Sequence, residues 1–337
     1  MLVARCDNVG DVLLAGPAVR AVAAAAGPVT FLSSPQGAPA AELLPGVGEV
    51  VAERLAWIDA APPPVDRGSL EAMVDRLGAL GVEEAVILTS WHQSPLPLAM
   101  LLRAAGVERI TANSTDYPGS LLDVRVQVDD DLHEVERGVQ IAAAAGFAAP
   151  AGDDLSLAVR GPLPPVAGLP AAPYVVLHPG ASVPARAWAP ARMAEAAAEL
   201  ARRGARVVVT GGRGEAELCA AVAAAAGPAG TDLSGRTDLA GLATVIASAR
   251  AVVVGNTGPA HLAAAVGTPV VSLYAPTVPA QRWLPWRVPV RVLGDLGIPC
   301  AGCRARTCPV PGHPCIDSVP AAAVADAVDD LVGAVAA

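Results

Sequence analysis

The first candidate for chemistry is Asp11, which stands directly after the flexible Gly10 in the stretch RCDNVGDVLLAGPAVRA. A carboxylate here lies in the first turn of a predicted helix. In one interpretation, its sole role is a favourable interaction with the helix dipole, which contributes roughly 0.3–1 kcal/mol to stability. Alternatively, it projects from the turn and removes a proton as a general base. The spacing alone leaves both interpretations open.

A second candidate turn, LHPGASVPARAWAP, leaves a predicted strand at His178 and presents Ser182 and Arg186 before a helix that Pro190 opens. Donor groups and one cation beside a helix start suit a diphosphate. The alternative is a Pro-rich surface loop in which Arg186 stacks on Trp188.

Two further turns follow predicted strands. VVVTGGRGEAELC carries Gly211 and then Glu215, and its small residues would let a ligand approach the backbone, although the pattern is not a GxGxxG signature. VVVGNTGPAHLAAAV places Thr257 and Gly258 at a helix start, where free N–H groups point outward. His261 follows one turn later and, taken alone, is more typical of a core or capping histidine.

These turns lie between alternating strand and helix patterns, which indicate right-handed crossovers and parallel sheets. The pattern predicts an α/β protein with a first domain over 1–155 and a linker over 156–172. A second domain is predicted over 173–318, and a final helix over 319–337 that could pack back on the first domain. The Pro- and Gly-rich stretch 148–172 is expected to contain one short strand. Ligands of such sheets bind beyond the carboxyl ends of the strands, in this case facing a cleft between two domains.

The composition narrows the class of protein. Of the 337 residues 53% are hydrophobic but only 3% are aromatic, which favours cores of Ala, Val and Leu. The net charge of -9 argues against a general affinity for nucleic acid or anionic membrane. No secretory signal and no apolar stretch typical of a membrane span is apparent, so we expect a cytoplasmic protein.

Four stretches together resemble one family. GDVLLAGPAVRA, HPGASVPARAWAPARMAE, GNTGPAHLAAAVGTPVVSLYAPT and IPCAGCRARTCPVPGHPCID stand in the order seen in the ADP-heptose:lipopolysaccharide heptosyltransferases, which are glycosyltransferase family nine. The resemblance spans nearly the whole chain. It implies a GT-B architecture of two Rossmann-like domains, with the acceptor held mainly by the N-terminal domain and the nucleotide sugar by the C-terminal one. It also implies an inverting reaction that requires no metal or other cofactor, with an ADP-sugar as donor.

The resemblance implies a role for each candidate. Asp11 would be the base that deprotonates the acceptor hydroxyl, and Arg186, where the family usually has Lys, would neutralise the leaving diphosphate. The remaining nucleotide-sugar residues would be Gly10, Ser182, Gly211, Glu215, Thr237, Asn256, Thr257, Gly258 and His261. Among them, Ser182, Thr257 and Gly258 would bind phosphate oxygens and His261 would support their turn. Glu215 would hold the ribose and Thr237 would lie near the nucleobase.

Two positions depart from the family pattern. Asn256 stands where Asp is common, so one charge near the sugar hydroxyls is replaced by amide donors, and the donor sugar could differ from the usual heptose. Arg186 in place of Lys keeps the charge but adds a bidentate fork. We therefore expect the chemistry to be retained, whereas these two positions leave the specificity for the donor sugar open.

Four cysteines, Cys300, Cys303, Cys308 and Cys315, follow the pattern CxxC with two more cysteines. Four thiolates can close a tetrahedral zinc site. The short and irregular spacing, together with the metal-independent transfer that the resemblance implies, favours disulfides or free thiols over zinc.

Two other functions compete with the glycosyltransferase. A non-catalytic sugar-nucleotide binding partner would not need Asp11, and an epimerase of the same architecture would need further carboxylates and histidines in the cleft. The acceptor could be a natural-product intermediate or a cell-surface glycan, and no basic patch suggests a highly charged one.

Overall fold

In the computed structural model, which describes residues 1–336, the chain divides at Gly161 into two units. The first unit is Met1–Arg160. The division falls within the linker predicted over 156–172. Each unit is built around its own parallel sheet, which confirms the predicted α/β class.

The first unit contains a six-stranded sheet with the order β3-β2-β1-β4-β5-β6. Its strands are β1 (Leu2–Arg5), β2 (Val29–Ser33), β3 (Val47–Ala52), β4 (Glu84–Ile87), β5 (Arg109–Asn113) and β6 (Val124–Val126). Its helices are α1 (Val9–Leu14), α2 (Gly16–Ala26), α3 (Ala38–Ala41), α4 (Arg67–Gly78), α5 (Leu96–Ala104) and α6 (Glu134–Ala144). The strand order reverses between β1 and β4, and open α/β sheets bind ligands at such a point.

The second unit repeats this topology, with the order β12-β11-β10-β7-β8-β9. Its strands are β7 (Val175–His178), β8 (Val207–Val209), β9 (Gly230–Asp232), β10 (Ala251–Gly255), β11 (Val270–Leu273) and β12 (Val290–Leu293). Its helices are α7 (Pro190–Arg202), α8 (Ala216–Ala225), α9 (Leu239–Ala247), α10 (Gly258–Ala265), α11 (Ala280–Trp283), α12 (Pro314–Asp317) and α13 (Ala321–Ala336). Here the order reverses between β7 and β10. The central strands are fully buried runs of valine, as expected for a sheet covered on both faces.

Three local differences from the sequence analysis have simple causes. The first predicted helix is split at Ala15 into α1 and α2, because Pro17 has no N–H to continue the helical bonds. Two edge strands, β6 and β12, were not predicted, since each is only three or four residues long and contains an arginine. The expected strand within 148–172 is absent, and the frequent prolines of that stretch cannot donate to a sheet.

The final helix, α13, packs on α7 within the second unit. Val324, Val328 and Leu331 form one apolar face and share a core with Met193 and Leu200 of α7. Their spacing of three and four residues places them on one side of the helix.

Candidate functional site

The first half of the candidate site surrounds Asp11, in the first turn of α1. Its carboxylate is 22% exposed and accepts a hydrogen bond of 3.1 Å from Nη2 of Arg5. Arg5 is the last residue of β1, and Asn8, which precedes the helix, makes no side-chain cap. Gly10 is buried beside Asp11 in the same turn. The turn therefore leaves the Asp11 carboxylate partly exposed to solvent, while the buried Arg5 guanidinium group binds it on its inner side.

Arg5 is the centre of a buried ion network that the sequence analysis did not identify. Its Nε lies 2.8 Å from Oδ2 of Asp7, and its Nη2 donates to Ser90 Oγ at 2.9 Å and to Glu134 Oε2 at 3.1 Å. Burial lowers the pKa of Arg5, but Asp7, Glu134 and Asp11 raise it, and the net pKa lies above its ordinary value. The guanidinium group therefore remains charged although it is buried.

The carboxylates that surround Arg5 are themselves buried and bonded. Asp7 accepts a hydrogen bond from the Gln93 amide, and Glu134 Oε1 lies 3.2 Å from Nε of Arg137. Burial raises the pKa of both Asp7 and Glu134, against the effect of the arginines. The available sequence signal was RCD, two charged residues at the end of an otherwise apolar strand.

In the second unit, the turn after β7 contains His178, Ser182 and Arg186. His178 Nδ1 lies 3.0 Å from Thr210 Oγ1, and burial lowers the pKa of His178 to about 4, against an opposing effect of Glu215. The imidazole is thus neutral at pH 7. Ser182 is exposed in the loop that follows.

Arg186 is half-buried at the end of a 3₁₀ turn. Its Nε donates to Thr277 Oγ1 at 3.3 Å. Its carbonyl oxygen lies so close to Gly255 that a Cβ there would stand 2.7 Å from it. The end of β10 therefore supports the backbone that carries this cation.

The turn after β8 brings Gly211 and Glu215 together. The Glu215 carboxylate accepts a hydrogen bond of 2.7 Å from the Gly212 amide. A Cβ on Gly180, in the turn after β7, would lie 1.9 Å from Glu215 Oε1. Glu215 therefore joins two neighbouring turns. Thr237 is half-buried immediately before α9, on the turn after β9.

The turn after β10 leads into α10. Thr257 is the N-cap residue, but its side chain makes no capping hydrogen bond, and both Thr257 and Gly258 are half-buried. Asn256 is buried, donates to the Ala275 carbonyl at 3.3 Å and lies beside the Tyr274 hydroxyl. The side chain of His261 is also buried within α10. Asn256 and His261 thus support the turn from inside, whereas Thr257 and Gly258 face outward.

The structure groups the predicted residues by unit. Those of the second unit all lie on or directly after the turns at the carboxyl ends of β7, β8, β9 and β10. Gly10 and Asp11 lie at the equivalent edge of the first sheet. The sequence analysis missed Arg5, Asp7, Ser90, Gln93, Glu134, Thr210 and Thr277.

The four cysteines of the C-terminal segment line one cavity together with Pro276 and Thr277. All are free thiols; Cys303 is exposed, and burial raises the pKa of Cys315 to about 11. The segment is fastened to the Arg186 turn by a hydrogen bond of 3.0 Å from the Ala185 amide to the Arg306 carbonyl. Over residues 1–336, no three His, Cys, Asp or Glu side chains are arranged to hold a metal ion.

None of the helices within residues 1–336 combines the length and apolar character that crossing a bilayer requires.

A family model described as glycosyltransferase family 9 (heptosyltransferase) matches residues 93–313. Curated proteins offer no significant match. Among solved structures, the chain is similar to the ADP-heptose lipopolysaccharide heptosyltransferase II of E. coli, with 21% identity, a TM-score of 0.75 and coverage of 100% of this chain and 99% of that one.

Two further structures are similar over almost their whole length. A family 9 glycosyl transferase from Veillonella parvula has 16% identity, a TM-score of 0.76 and coverage of 99% and 97% of the two chains. The E. coli heptosyltransferase WaaC with ADP-2-deoxy-2-fluoro heptose has 21% identity, a TM-score of 0.70 and coverage of 98% of both chains. These likenesses establish the GT-B fold that the sequence predicted.

Proposed function

The chain belongs to glycosyltransferase family 9, and we propose that it transfers a heptose from ADP-heptose to a hydroxyl group of its acceptor. Membership of the family makes the protein a glycosyltransferase, and neither the non-catalytic binder nor the epimerase is favoured. The choice of donor draws on the family description and on the names of the similar structures.

The second unit, in this proposal, binds the nucleotide sugar. Ser182, Thr257 and Gly258 donate hydrogen bonds to the diphosphate, and the free N–H groups at the start of α10 add to them. Arg186 neutralises the charge that develops on the leaving diphosphate. The neutral His178 adds no positive charge of its own to the turn that carries Arg186.

Nucleoside recognition falls to the turns after β8 and β9. Glu215 exchanges its bond to the Gly212 amide for the ribose hydroxyls, and Gly211 lets the nucleoside approach the backbone. Thr237 lies near the base. Asn256 and His261 keep the α10 turn in shape, so Asn256 affects the donor sugar through that turn.

The first unit binds the acceptor, and Asp11 is its general base. The acceptor oxygen loses its proton to Asp11 and forms a bond to the anomeric carbon. The bond between that carbon and the diphosphate oxygen breaks with its electron pair, and the configuration inverts. Arg186 supplies the countercharge, so the proposed reaction needs no metal ion.

The observation that carries the proposal is the exposed carboxylate of Asp11, held by a buried arginine at the carboxyl end of β1. A helix-dipole role would not require such a support. The acceptor is proposed to be a neutral small molecule or glycan. Free thiols at all six cysteines favour a reaction in the cytoplasm, where the environment is reducing.

The test is a panel of ADP, GDP, UDP, CDP and TDP, with and without attached sugars, measured by thermal shift and calorimetry before and after chelation. We expect selective stabilisation by ADP, of about 2.7 kcal/mol at a concentration one hundred times the Kd. Selective binding of another nucleotide would overturn the ADP-heptose donor, and loss of nucleotide-sugar binding on chelation would count against a donor site that needs no metal ion.

Arg186→Gln adds a residue-level test. Loss of the cation should weaken ADP binding about tenfold or more, because a charged hydrogen bond contributes roughly 1.5–3 kcal/mol. Adenosine, which has no phosphate, should bind the variant and the parent protein alike. Arg192→Gln on the exposed face of α7 is the matched control and should leave ADP binding unchanged.

A further inference from the structure

The Arg5 network contains more groups than the proposed reaction uses. Asp11 is the only one of its three carboxylates with substantial exposure; the side chains of Asp7 and Glu134 are 8% and 1% exposed. Asp7 and Glu134 therefore cannot meet an acceptor directly in this structure. Their contact with the reaction runs through Arg5, which touches all three carboxylates.

We propose that Arg5 is a positioning residue for the base: it holds the Asp11 carboxylate in its orientation, while Asp7 and Glu134 hold Arg5 in place. This inference rests on the proposed role of Asp11. It assigns to buried charges at the reversal point of the first sheet a function in catalysis.

The hydrogen-bond count at Arg5 explains how this works. Nη2 carries two N–H groups but has three acceptors within 3.1 Å, namely Asp11 Oδ1, Ser90 Oγ and Glu134 Oε2. The three acceptors thus share two protons. When Asp11 takes the acceptor proton and loses its charge, both N–H groups still have Ser90 and Glu134. The arginine thereby stabilises the ionised base without becoming unpaired when the base is protonated.

The charges around Asp11 also support a positioning role for Arg5. Two guanidinium groups, Arg5 and Arg137, face four carboxylates, because Asp130 lies 3.3 Å from Arg137 in addition to Asp7, Asp11 and Glu134. The carboxylates therefore outnumber the cations by two. The turn after β4 adds only the uncharged Ser90 and Gln93. Removing Arg5 would therefore leave Asp11 facing two buried carboxylates, and proton uptake by Asp11 would become easier.

The geometry also explains why the residue is arginine. The Nε edge faces Asp7, whereas Nη2 reaches Asp11, Ser90 and Glu134 on the other side. A lysine ammonium would keep the charge but could not span both sides. Arg5→Lys should therefore rescue part of what Arg5→Gln loses.

The experiment is the pH profile of nucleoside diphosphate release from the sugar nucleotide identified by the panel, with water in place of the acceptor. For Arg5→Gln we expect kcat to fall about a hundredfold. The acid limb of the profile, the range over which kcat falls as the pH is lowered, should move to higher pH by about one unit. Donor KM should stay within about twofold. Arg5→Lys should be intermediate, and added guanidinium ion should restore part of the activity of Arg5→Ala.

Glu134→Gln provides a test of opposite sign. It removes a negative charge close to Asp11 and leaves the positive charge of Arg5 in place, so the acid limb should move to lower pH. Shifts in opposite directions cannot arise from a general loss of folded protein. This variant also keeps the proposal testable should Arg5→Gln fail to fold.

The matched control is Arg20→Gln. Arg20 also binds a partly buried carboxylate of the first unit, Asp153, through two hydrogen bonds of 2.8 and 2.7 Å. Its loss should leave the acid limb in place. Acid limbs that do not move in folded Arg5→Gln and Glu134→Gln would overturn the inference about Arg5. Full activity of Asp11→Asn would instead overturn the proposed base itself, so the two failures are distinguishable.

Discussion

The two units have the same strand order, but the side chains at the point where that order reverses differ in charge. Between β1 and β4, the first unit concentrates charge: Arg5 lies buried among Asp7, Asp11 and Glu134. Between β7 and β10, the second unit offers the neutral His178, glycines and helix N–H groups. Because the topology is the same, the difference lies in the side chains. The fold provides the edge, and the residues decide whether it handles a proton or an anion.

The contrast has an energetic side. Burying ions costs free energy that only close pairing offsets, so the first site is a mutually fixed network with one carboxylate left exposed. The second site achieves its shape by omitting side chains. Gly180, Gly211 and Gly255 each stand where a Cβ would clash with a neighbouring group. The transfer reaction that we propose requires a rigid base in the first unit and an open anion site in the second.

The strongest test of the contrast is Asp11→Asn. Asparagine keeps the shape but cannot accept the acceptor proton, so kcat should fall about 10²–10⁴-fold, the usual contribution of a general base. Binding of ADP to the second unit should be unchanged. Steady-state kinetics and calorimetry measure the two effects separately.

The control for this variant is Asp153→Asn, which alters another carboxylate of the first unit bonded to an arginine. Turnover should stay within about twofold of the parent protein. If Asp11→Asn and Asp153→Asn behave alike, the division of labour between the units is wrong.

The next test concerns the neutral histidine. The unfolded chain takes up a proton on His178 near pH 6.5, whereas burial keeps the folded imidazole neutral down to about pH 4. His178 therefore lowers the free energy of unfolding as the pH falls from 6.5 towards 4, by on the order of 3 kcal/mol in total. His178→Gln should remove this loss, as urea denaturation at pH 7.5, 6 and 5 would measure.

The exposed His92 is the matched control, and His92→Gln should retain the steeper loss of stability in acid. Equal pH dependence in His178→Gln and the parent protein would show that His178 is not held neutral.

The sequence predicts a site well when its residues are close together in the chain, and poorly when they are far apart. The second site is formed by residues close together in sequence at strand ends, so short motifs predicted Arg186, Glu215 and Thr257 in turns that follow strands, and the structure has them after β7, β8 and β10. In the first site, only Asp11 has a local signal. Arg5 and Glu134 are 129 residues apart and meet only once α6 packs against α1 and α2, which no local pattern encodes.

The fold shows the same limit. Long apolar strands such as β10 were predicted with their bounds, because burial on both faces leaves an unmistakable valine run. The edge strands β6 and β12 are half-buried and short, and their pairing partners decide their structure. The packing of α13 on α7 likewise depends on two faces that are far apart in sequence.

A smaller effect is expected from Gly255→Ala. Its new Cβ would lie 2.7 Å from the carbonyl oxygen of Arg186, so this backbone has to shift. ADP binding should weaken about tenfold, equivalent to about 1.4 kcal/mol. The acid limb of the pH profile, which belongs to Asp11, should stay in place.

Gly214→Ala is the control, since no atom lies within 4 Å of a Cβ at that position of the Glu215 turn. ADP affinity should be retained. A Gly255→Ala protein that binds ADP normally would contradict the role of this close backbone contact.

The smallest effect is expected from changes to the cysteines, because the proposed transfer reaction does not use a thiol. Cys303 is exposed, whereas Cys219 and Cys315 are buried with pKa values raised to about 12 and about 11, and burial also raises the pKa of Cys6. A thiol reagent at pH 8 should therefore modify Cys303 first and leave the three buried thiols unmodified, because the thiolate is the reactive form. Peptide mapping by mass spectrometry reads out the order.

Cys303→Ser should bind ADP within about twofold of the parent protein, since the cysteine segment meets the Arg186 turn through backbone groups such as the Arg306 carbonyl. A large loss of affinity in Cys303→Ser would mean that the second site depends on thiol chemistry as well as on donors and space. The comparison of a charged site in the first unit with a sparsely charged site in the second would then have to include the cysteine thiols. Retained affinity would support the expectation that the segment meets the Arg186 turn through its main chain alone.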